Sequence, residues 1–365
     1  MKTATPRVMI SGVPVIFPDF SLSLSMDTAA DEWKGKIVVK PEHAGICRPF
    51  GYDPTTVHID DELMFTGIVY TVDPELEARG HTKALNAYTL TADAVDSSFK
   101  PPYEFNGSTL EQIATKLLAP LGIKAVFVTD TGGPFDAAGD SEESIPGISE
   151  GGGAMERATA SAGETIFGFL SRLAAQRGIL VGNTPEGNML FSRADLTSPP
   201  VGVLSEGQPG CERWAASYNG RLRFRNYVSM SQNKGGLFEL EDTAPAYSVA
   251  VDEHVLRPRT RVFQNNETTD GDVRNSVEWQ RSRAIADAMS CTLPVSSWYA
   301  PNGKIWRPNT RVTIVSEALC IPKGYDLLIK AVTLNEEKHK KHASIHLTLP
   351  HAYTGEPLED PWRIN

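Results

Sequence analysis

The chain is short of cysteine, of positive charge and of long apolar runs, and each shortage removes a class of function. Its four cysteines, Cys47, Cys211, Cys291 and Cys320, lie far apart with no CxxC pair. That spacing argues against a structural zinc site or a disulfide framework and fits a chain assembled under reducing conditions. Lys and Arg together number 35 against 45 Asp and Glu, for a formal net charge of -10. Nucleic-acid binders carry a basic face that neutralises phosphates, so this balance points away from them. The Arg221-Leu-Arg-Phe-Arg225 stretch is a candidate local basic patch, although its alternation reads more simply as a strand with one polar face. No run approaches the ~20 apolar residues that cross a bilayer, and Met1 to Ile10 lacks the apolar centre of a signal peptide. The expectation is a soluble chain made inside a cell.

Catalytic patterns are missing as well. There is no GxSxG elbow, HExxH helix, Walker loop or GxGxxG after a strand. His339, His342, His346 and His351 come closest to a ligand set. His339 and His342 would converge only on a helix, whereas Glu336 to His342 is a charged run between two predicted strands, which reads as a solvated hairpin tip. Asp60-Asp-Glu62 stands beside a strand start and reads as a turn, since paired-acid chemistry needs a cleft and separated pKa values. Asp270-Gly-Asp272 lacks the further ligands of a calcium loop, and Asp140-Ser-Glu-Glu143 reads as a solvated run. Met155, Trp214, Trp279, Trp298 and Trp306 read as core or interface side chains. No cofactor, metal or enzymatic activity is expected.

What the sequence does contain is strand pattern and helix punctuation. At 365 residues it exceeds a single core, so two to four compact units are expected. Phe20-Ser-Leu-Ser-Leu-Ser-Met26 alternates strictly, placing Phe20, Leu22, Leu24 and Met26 on one face. Leu63 to Val72 predicts a longer strand with a bulge or bend at Gly67, ended by Asp73-Pro74 and followed by a return strand over Ala84 to Ala92. Ser108-Thr-Leu-Glu111 has capping-box spacing ahead of a helix carrying Ile113, Leu117 and Leu118. A second box, Ser161-Ala-Gly-Glu164, precedes a helix with Ile166, Phe167, Leu170, Leu173 and Ala174 on one face, and Gly178 stands at its C-cap. A hairpin follows, Ile179 to Val181 and Met189 to Phe191, turning at Thr184-Pro-Glu-Gly187. Asn275 to Glu278 predicts a helix start, and strands are expected at Thr310–Ser316, Asp326–Leu334 and Ala343–Leu349. No short tandem repeat is present, but two β-units of similar size around a middle segment leave room for an internal duplication.

Three segments carry a family resemblance. Gly163 to Leu180, with Pro185-Glu-Gly-Asn-Met-Leu-Phe-Ser-Arg193, resembles the helix and the hairpin with its acidic-Gly-Asn turn in Mu-like phage baseplate hub proteins and the related tail protein D group. Asn302-Gly-Lys-Ile-Trp-Arg-Pro-Asn-Thr-Arg-Val312 is similar to that family's Gly-x-x-Trp-x-Pro-Asn motif, and Phe65 to Tyr70 with Asn106 to Ala114 is similar to its first-barrel strand and following helix. The resemblance spans roughly Val8 to Tyr353. Carried residue by residue, the structural motif is Glu164, Phe169, Leu170, Leu173, Gly178, Gly187, Gly303, Trp306, Pro308 and Asn309.

The resemblance implies a β-rich α+β fold with two small tube-type β-barrel domains and helix and hairpin inserts. The boundaries implied are 1–105 for the first barrel and 106–210 for the insert, with its Gly/acidic linker at 130–160. The second barrel takes 211–355 and a C-terminal tail 356–365. It implies a trimeric ring of pseudo-sixfold symmetry in the virion tail baseplate of a contractile tail, assembled in the host cytoplasm. Its partners would be a central spike protein, the tail tube protein and baseplate wedge proteins, with double-stranded DNA passing through without specific binding. The hub of a phage-derived bacteriocin or type VI-like spike is an alternative. A tail-associated peptidoglycan hydrolase and a DNA-binding tail-completion protein are alternatives of other classes.

Overall fold

The computed structural model describes residues 4–38, 45–77, 80–98, 100–105, 107–128, 158–175, 178–208, 210, 213–231, 246–265, 270–321, 324–337, 340–353 and 362. The linker at 130–160 falls almost wholly outside these, as do Met155 and the Asp140–Glu143 run.

The first third is β-structure: β1 (Pro6–Ile10), β2 (Val13–Val15), β3 (Asp19–Ser25), β4 (Glu32–Val38), β5 (Pro54–Ile59), β6 (Glu62–Glu77) and β7 (Gly80–Thr89), then the short helix α1 (Ala92–Asp96). The alternation at 20–26 is β3, with Phe20, Leu22 and Leu24 buried and its serines half-exposed. Two expectations need correction. Strand β6 bulges at Met64, where the register against β5 slips, and at Tyr70, where the register against β7 slips between Val69 and Thr71, and not at Gly67. Gly67 instead permits close approach, because a Cβ there would meet the Tyr88 carbonyl oxygen at 2.0 Å. Nor does Asp73-Pro74 end the strand, which pairs with β7 as far as Glu77. Proline is tolerated where one edge of a strand is unpaired, since its missing N–H then costs no ladder bond.

The middle segment has its own core. It comprises α2 (Leu110–Leu118), β8 (Ala125–Phe127), α3 (Ile166–Ala175), β9 (Leu180–Asn183) and β10 (Met189–Ser192). The α2 capping box forms one residue later than expected: the Thr109 side chain accepts from the Gln112 N–H at 3.2 Å, and Gln112 accepts from the Thr109 N–H at 3.0 Å. Ahead of α3, Glu164 accepts from the Ser161 N–H, but the helix opens at Ile166, with Thr165 accepting from the Gly168 N–H. Strands β8, β10 and β9 form a three-stranded sheet that α2 and α3 cover.

The last third contains β11 (Val203–Ser205), β12 (Ala215–Tyr218), β13 (Asn226–Ser231), β14 (Ala246–Val251), β15 (Thr260–Asn265), α4 (Asp270–Asp287), β16 (Met289–Val295), β17 (Arg311–Val315), β18 (Tyr325–Glu337) and β19 (Lys340–Thr348). Arg221–Arg225 is not a strand. Asn219 accepts from the Arg221 N–H and turns Gly220–Leu222 into a single 3-10 turn. Arg259 then donates to the carbonyls of Gly220, Arg221 and Arg223, while Arg223 pairs with Asp252 at 2.9 Å. Helix α4 starts five residues before the expected Asn275, so Asp270-Gly-Asp272 is helical backbone rather than a loop. It covers one face of a sheet that the sequence reading did not foresee, β14-β13-β15.

The fold is β-rich with few helices, as expected. Thirteen of the described strands, however, make one sheet, ordered β12-β16-β19-β18-β3-β4-β7-β6-β5-β1-β2, with β17 on β18 and β11 on β17. No pairing among the described residues closes either end into a barrel. The two ends of the chain meet where β18 pairs antiparallel with β3, Ala331–Glu337 against Ser25–Asp19.

Each side of that joint repeats one arrangement. The order β3-β4-β7-β6-β5 on one side matches β12-β16-β19-β18-β17 on the other. Both long hairpins carry a bulge at the same place, Tyr70 in β6 and Lys330 in β18. One constant shift in numbering carries Val69, Thr71 and Glu77 onto Ile329, Ala331 and Glu337, and their partners Ala87, Asn86 and Gly80 onto Leu347, His346 and Lys340. The two sides of the joint are a structural repeat, the arrangement that an internal duplication would leave.

Candidate assembly surfaces

Alternation makes one face of the large sheet core and the other polar. Opposite the buried Phe20, Leu22 and Leu24, the serines Ser21, Ser23 and Ser25 stand across from Asn335, Thr333 and Ala331. The polar face continues to His342, Ser344 and His346 on β19 and to Thr292 on β16. On the other side it runs to Glu32, Lys34 and Lys36, then to Tyr88 and Asn86. Its groups largely satisfy one another: Ser23 and Thr333 hydroxyls at 3.2 Å, Thr292 and His346 Nδ1 at 3.1 Å, and Tyr88 donating to Glu32 at 2.6 Å. The lysines are matched, Lys34 by Glu32 and Lys36 by Glu75, each at 2.6 Å. The centre is a depression of about 710 Å³ whose lining includes the hydroxyls of Ser23, Ser25, Thr292 and Thr333, with Asp27 and Lys330 in its wall. Such a face wets well and offers a polyanion little unpaired positive charge.

A half-buried ionic cluster in the wall of that depression ties the joint to α4. Asp27 follows β3 and receives Lys330 at 3.1 Å and Arg283 of α4 at 3.2 Å, with the Tyr353 hydroxyl donating at 3.3 Å. Burial pushes the Asp27 carboxyl up, but the two cations outweigh it and hold the group below its usual range. The Arg283 guanidinium also lies 4.3 Å from the Tyr353 ring centre. Nearby Asp31 is buried with no cation within 4 Å among the described residues. It accepts from the Ser25 N–H at 2.8 Å, and burial raises its carboxyl to about 7.

The acidic triplet forms a turn, with Asp60 at φ 54°. Its carboxylates bind other parts of the chain: Asp60 accepts from the Thr5 N–H at 2.9 Å and from the Tyr299 hydroxyl, and Glu62 accepts from Arg307 at 2.6 Å. The segment that reaches them is Tyr299–Thr310, which carries the Gly-x-x-Trp-x-Pro-Asn motif, and a cleft of about 800 Å³ lies between the two.

The motif residues are mostly interior scaffolding. Gly303 makes the turn at φ 81°, Trp306 is buried and donates to the Ser297 carbonyl at 3.1 Å, and Pro308 is half-buried. Asn309 sits at φ 56° and ties three segments together. Its N–H donates to the Ile329 carbonyl, its side-chain oxygen accepts from the Asp195 N–H at 2.9 Å, and its amide donates to the Arg193 carbonyl at 3.1 Å. In the middle unit Phe169, Leu170 and Leu173 are fully buried, and Glu164 pairs with Arg172 at 3.2 Å. Gly178 (φ 64°) follows α3, and Gly187 (φ 82°) turns the hairpin against β6, where a Cβ would approach the Thr66 carbonyl to 2.9 Å. His342 and His346 share one face of β19, His339 lies outside the described residues, and no metal-binding group is found among the described ones.

Sequence reasoning missed the exposed apolar positions. Tyr247, Val249, Val251, Val262 and Met230 are exposed on the face of β14-β13-β15 away from α4, and Leu76 is 87% exposed beyond the bulge of β6. The alternation Tyr-Ser-Val-Ala-Val over 247–251 was the available signal, but it does not say which face the helix would take.

Comparison with known proteins bears out the resemblance to Mu-like baseplate hub proteins. Residues 269–356 match the family of the Mu phage baseplate assembly protein GpP, fourth domain. The baseplate hub protein gp44 of Escherichia phage Mu is 24% identical over 285 residues, covering 76% of this chain and 70% of gp44. The fold is similar to that of a 43 kDa tail protein of prophage MuSo2 from Shewanella oneidensis, with TM-score 0.73, 24% identity, 96% of this chain and 99% of that one covered. It is also similar to a tail protein from Neisseria meningitidis MC58, with TM-score 0.78, 18% identity, and 98% and 99% covered.

Proposed function

We propose, from the likeness to Mu-like baseplate hub proteins, that this chain is a structural subunit of a contractile tail's baseplate hub. Three copies form a ring in which the two matching halves of each sheet alternate as two tube-type modules, giving six similar positions. The observation that carries this reading is the repeat of strand order and bulge position on the two sides of the β3–β18 joint. A ring of three chains with two equivalent modules each can meet a threefold spike on one side and a sixfold tube on the other. Wedge proteins would then hold its outer surface.

The polar face of the sheet suits the wall of the bore. Its hydroxyls and matched charges would let duplex DNA pass without counterion release strong enough to hold it. The 1–105, 106–210, 211–355 and 356–365 division serves as the working domain map. The ten motif residues serve as the scaffold that sets the angle between modules. Native mass spectrometry with negative-stain imaging tests the reading: a hollow three-chain ring of six lobes is expected. A particle that stays monomeric with and without the spike protein would refute it.

A further inference from the structure

We propose that the arginine-rich tip of the β14-β13-β15 layer, built from the turns 219–225 and 252–259 and the start of β15, is a docking site for an acidic, leucine-bearing segment of another protein. The inference rests on the hub reading only for the presence of other proteins in the same particle.

Charge is spread unevenly along the chain. The whole carries 45 Asp and Glu against 35 Lys and Arg. The tip reverses that balance, with Arg221, Arg223, Arg225, Arg257, Arg259 and Arg261 against Asp252 and Glu253. Like charges packed together oppose the compact state, so six arginines in an acidic chain call for a use. Half of them have an internal one. Arg223 forms a two-pronged pair with Asp252, both contacts at 2.9 Å. Arg259 donates to the carbonyls of Gly220, Arg221 and Arg223, and Arg225 donates to the Val255 carbonyl at 3.2 Å. With the Asp252 N–H donating to the Arg225 carbonyl at 2.8 Å, these bonds lock the two turns side by side. The other half have no such role. Arg221, Arg257 and Arg261 are exposed, and of the six only Arg223 has a carboxylate within 4 Å among the described residues. The Arg261 guanidinium lies 5.2 Å from the Phe263 ring centre and 5.6 Å from that of Phe224, which Arg259 also approaches to 4.5 Å. A guanidinium held against rings keeps its N–H edge for planar, two-pronged pairing with a carboxylate.

Two leucines stand among these cations. Leu222 lies between Arg221 and Arg223, and Leu256 beside Arg257; they are 40% and 86% exposed. The locked turns hold them away from the core, where a partner with apolar side chains would cover them. Lysine is absent from 219–231, 246–265 and 270–288. Contacts between proteins favour Arg over Lys, whereas phosphate surfaces are met by both. A DNA duplex or an anionic bilayer is negative over its whole surface, and the remainder of a chain of net charge -10 repels it. A short acidic segment touches the tip alone, and its apolar side chains meet Leu222 and Leu256. Charge and apolar surface together select that occupant.

The test uses the full chain. Fluorescence anisotropy at low salt compares a short peptide alternating Glu and Leu, the same peptide with Gln for Glu, duplex DNA, and vesicles containing an anionic phospholipid. The Glu–Leu peptide should bind at least about tenfold more tightly than each of the others. Arg221→Glu with Arg257→Glu should weaken it by at least about tenfold and Leu256→Ser by less, neither shifting thermal unfolding. In assembled particles, a photoreactive benzoylphenylalanine in place of Leu256 should cross-link to an acidic stretch of a different protein, and the double Glu variant should lose that cross-link. Equal binding of the Gln peptide, equal binding by the parent and the double Glu variant, or preference for DNA or vesicles overturns the proposal. So does a cross-link confined to this chain and its copies, or none at all. Native mass of the same variants keeps the hub reading separate. A three-chain ring whose tip binds nothing leaves that reading standing, and a chain that forms no ring with its spike present refutes it whatever the tip binds.

Discussion

Ser23 and Thr333 lie 310 residues apart in the chain and meet hydroxyl to hydroxyl at 3.2 Å. Around them seven residues of β3 pair with seven of β18, so the two sides of the sheet share one core rather than two separate ones. Leu334, on the buried face of that joint, contacts both sides. Leu334→Ala should therefore cost about 2–5 kcal/mol, the range for truncating a buried leucine. Urea unfolding followed by tryptophan fluorescence should show one cooperative transition moved to lower denaturant.

Asp27 is the anionic centre of the cluster beside the joint. Asp27→Asn removes the closest carboxylate of Arg283 and Lys330, leaving Asp287 at 4.0 Å from Lys330, and should destabilise by about 1–2 kcal/mol, less than for a fully buried pair because Lys330 is a third exposed. Because its carboxyl is held below the usual range, the stability it supplies is present above pH 4 and lost as pH falls through its folded value. Acid titration of unfolding should be shallower in the variant.

Asp31 has the opposite sign. Its folded carboxyl titrates at about 7 against 3.8 in the unfolded chain. The unfolded state therefore loses its proton first, and stability falls as pH rises from about 4 to 7. Asp31→Asn keeps an acceptor for the Ser25 N–H and removes that dependence. The variant should gain stability at pH 8, by on the order of 4 kcal/mol at most, and should change little at pH 4. Thermal melts at the two pH values check the sign.

Asn309 combines left-handed backbone with two side-chain hydrogen bonds. Asn309→Ala loses both bonds and places an alanine at φ 56°, a cost of about 2–3 kcal/mol. Asn309→Gly relieves only the backbone part and should recover less than half of the loss.

The polar sheet face can be made to hold DNA. Ser23→Lys, Thr333→Lys and Asn335→Lys together add three positive charges to the polar face, the first two in the lining of the depression and the third farther along β18. The parent should give no gel shift with duplex DNA at low salt. The triple variant should bind, with affinity falling steeply as salt rises, and particles carrying it should eject DNA more slowly.

Local pattern was readable because it is set by neighbours in sequence. The serines between Phe20 and Met26, the capped helix before Gly178 and the turn ending at Gly187 all declared themselves. The single sheet did not, because the β3–β18 pairing depends on an edge some three hundred residues away, about which strand periodicity says nothing. The β14-β13-β15 layer escaped for a related reason: Tyr247, Val249 and Val251 look like core until α4 is seen on the other face. Arg221–Arg225 misled through its alternation, since the hydrogen bond from Asn219 outweighed strand preference. At the assembly surfaces the difficulty was inverted. Glu164, Trp306 and Asn309 stand out in sequence because interior turns constrain them, whereas Leu76 and Tyr218 stand out only once a structure reveals them as uncovered.

The shared joint also sets a timetable for synthesis. β3 leaves the ribosome some 310 residues before its partner strand, which at 5–20 residues per second is roughly 15–60 s. Throughout that interval β3 has a vacant edge and a half-covered row of Phe20, Leu22 and Leu24. A chain cut short before β18 would keep that vacancy and be prone to aggregation, so only finished chains would present the geometry that a ring requires. The late arrival of its last long hairpin thus acts as a check on completeness, made by the order of translation alone.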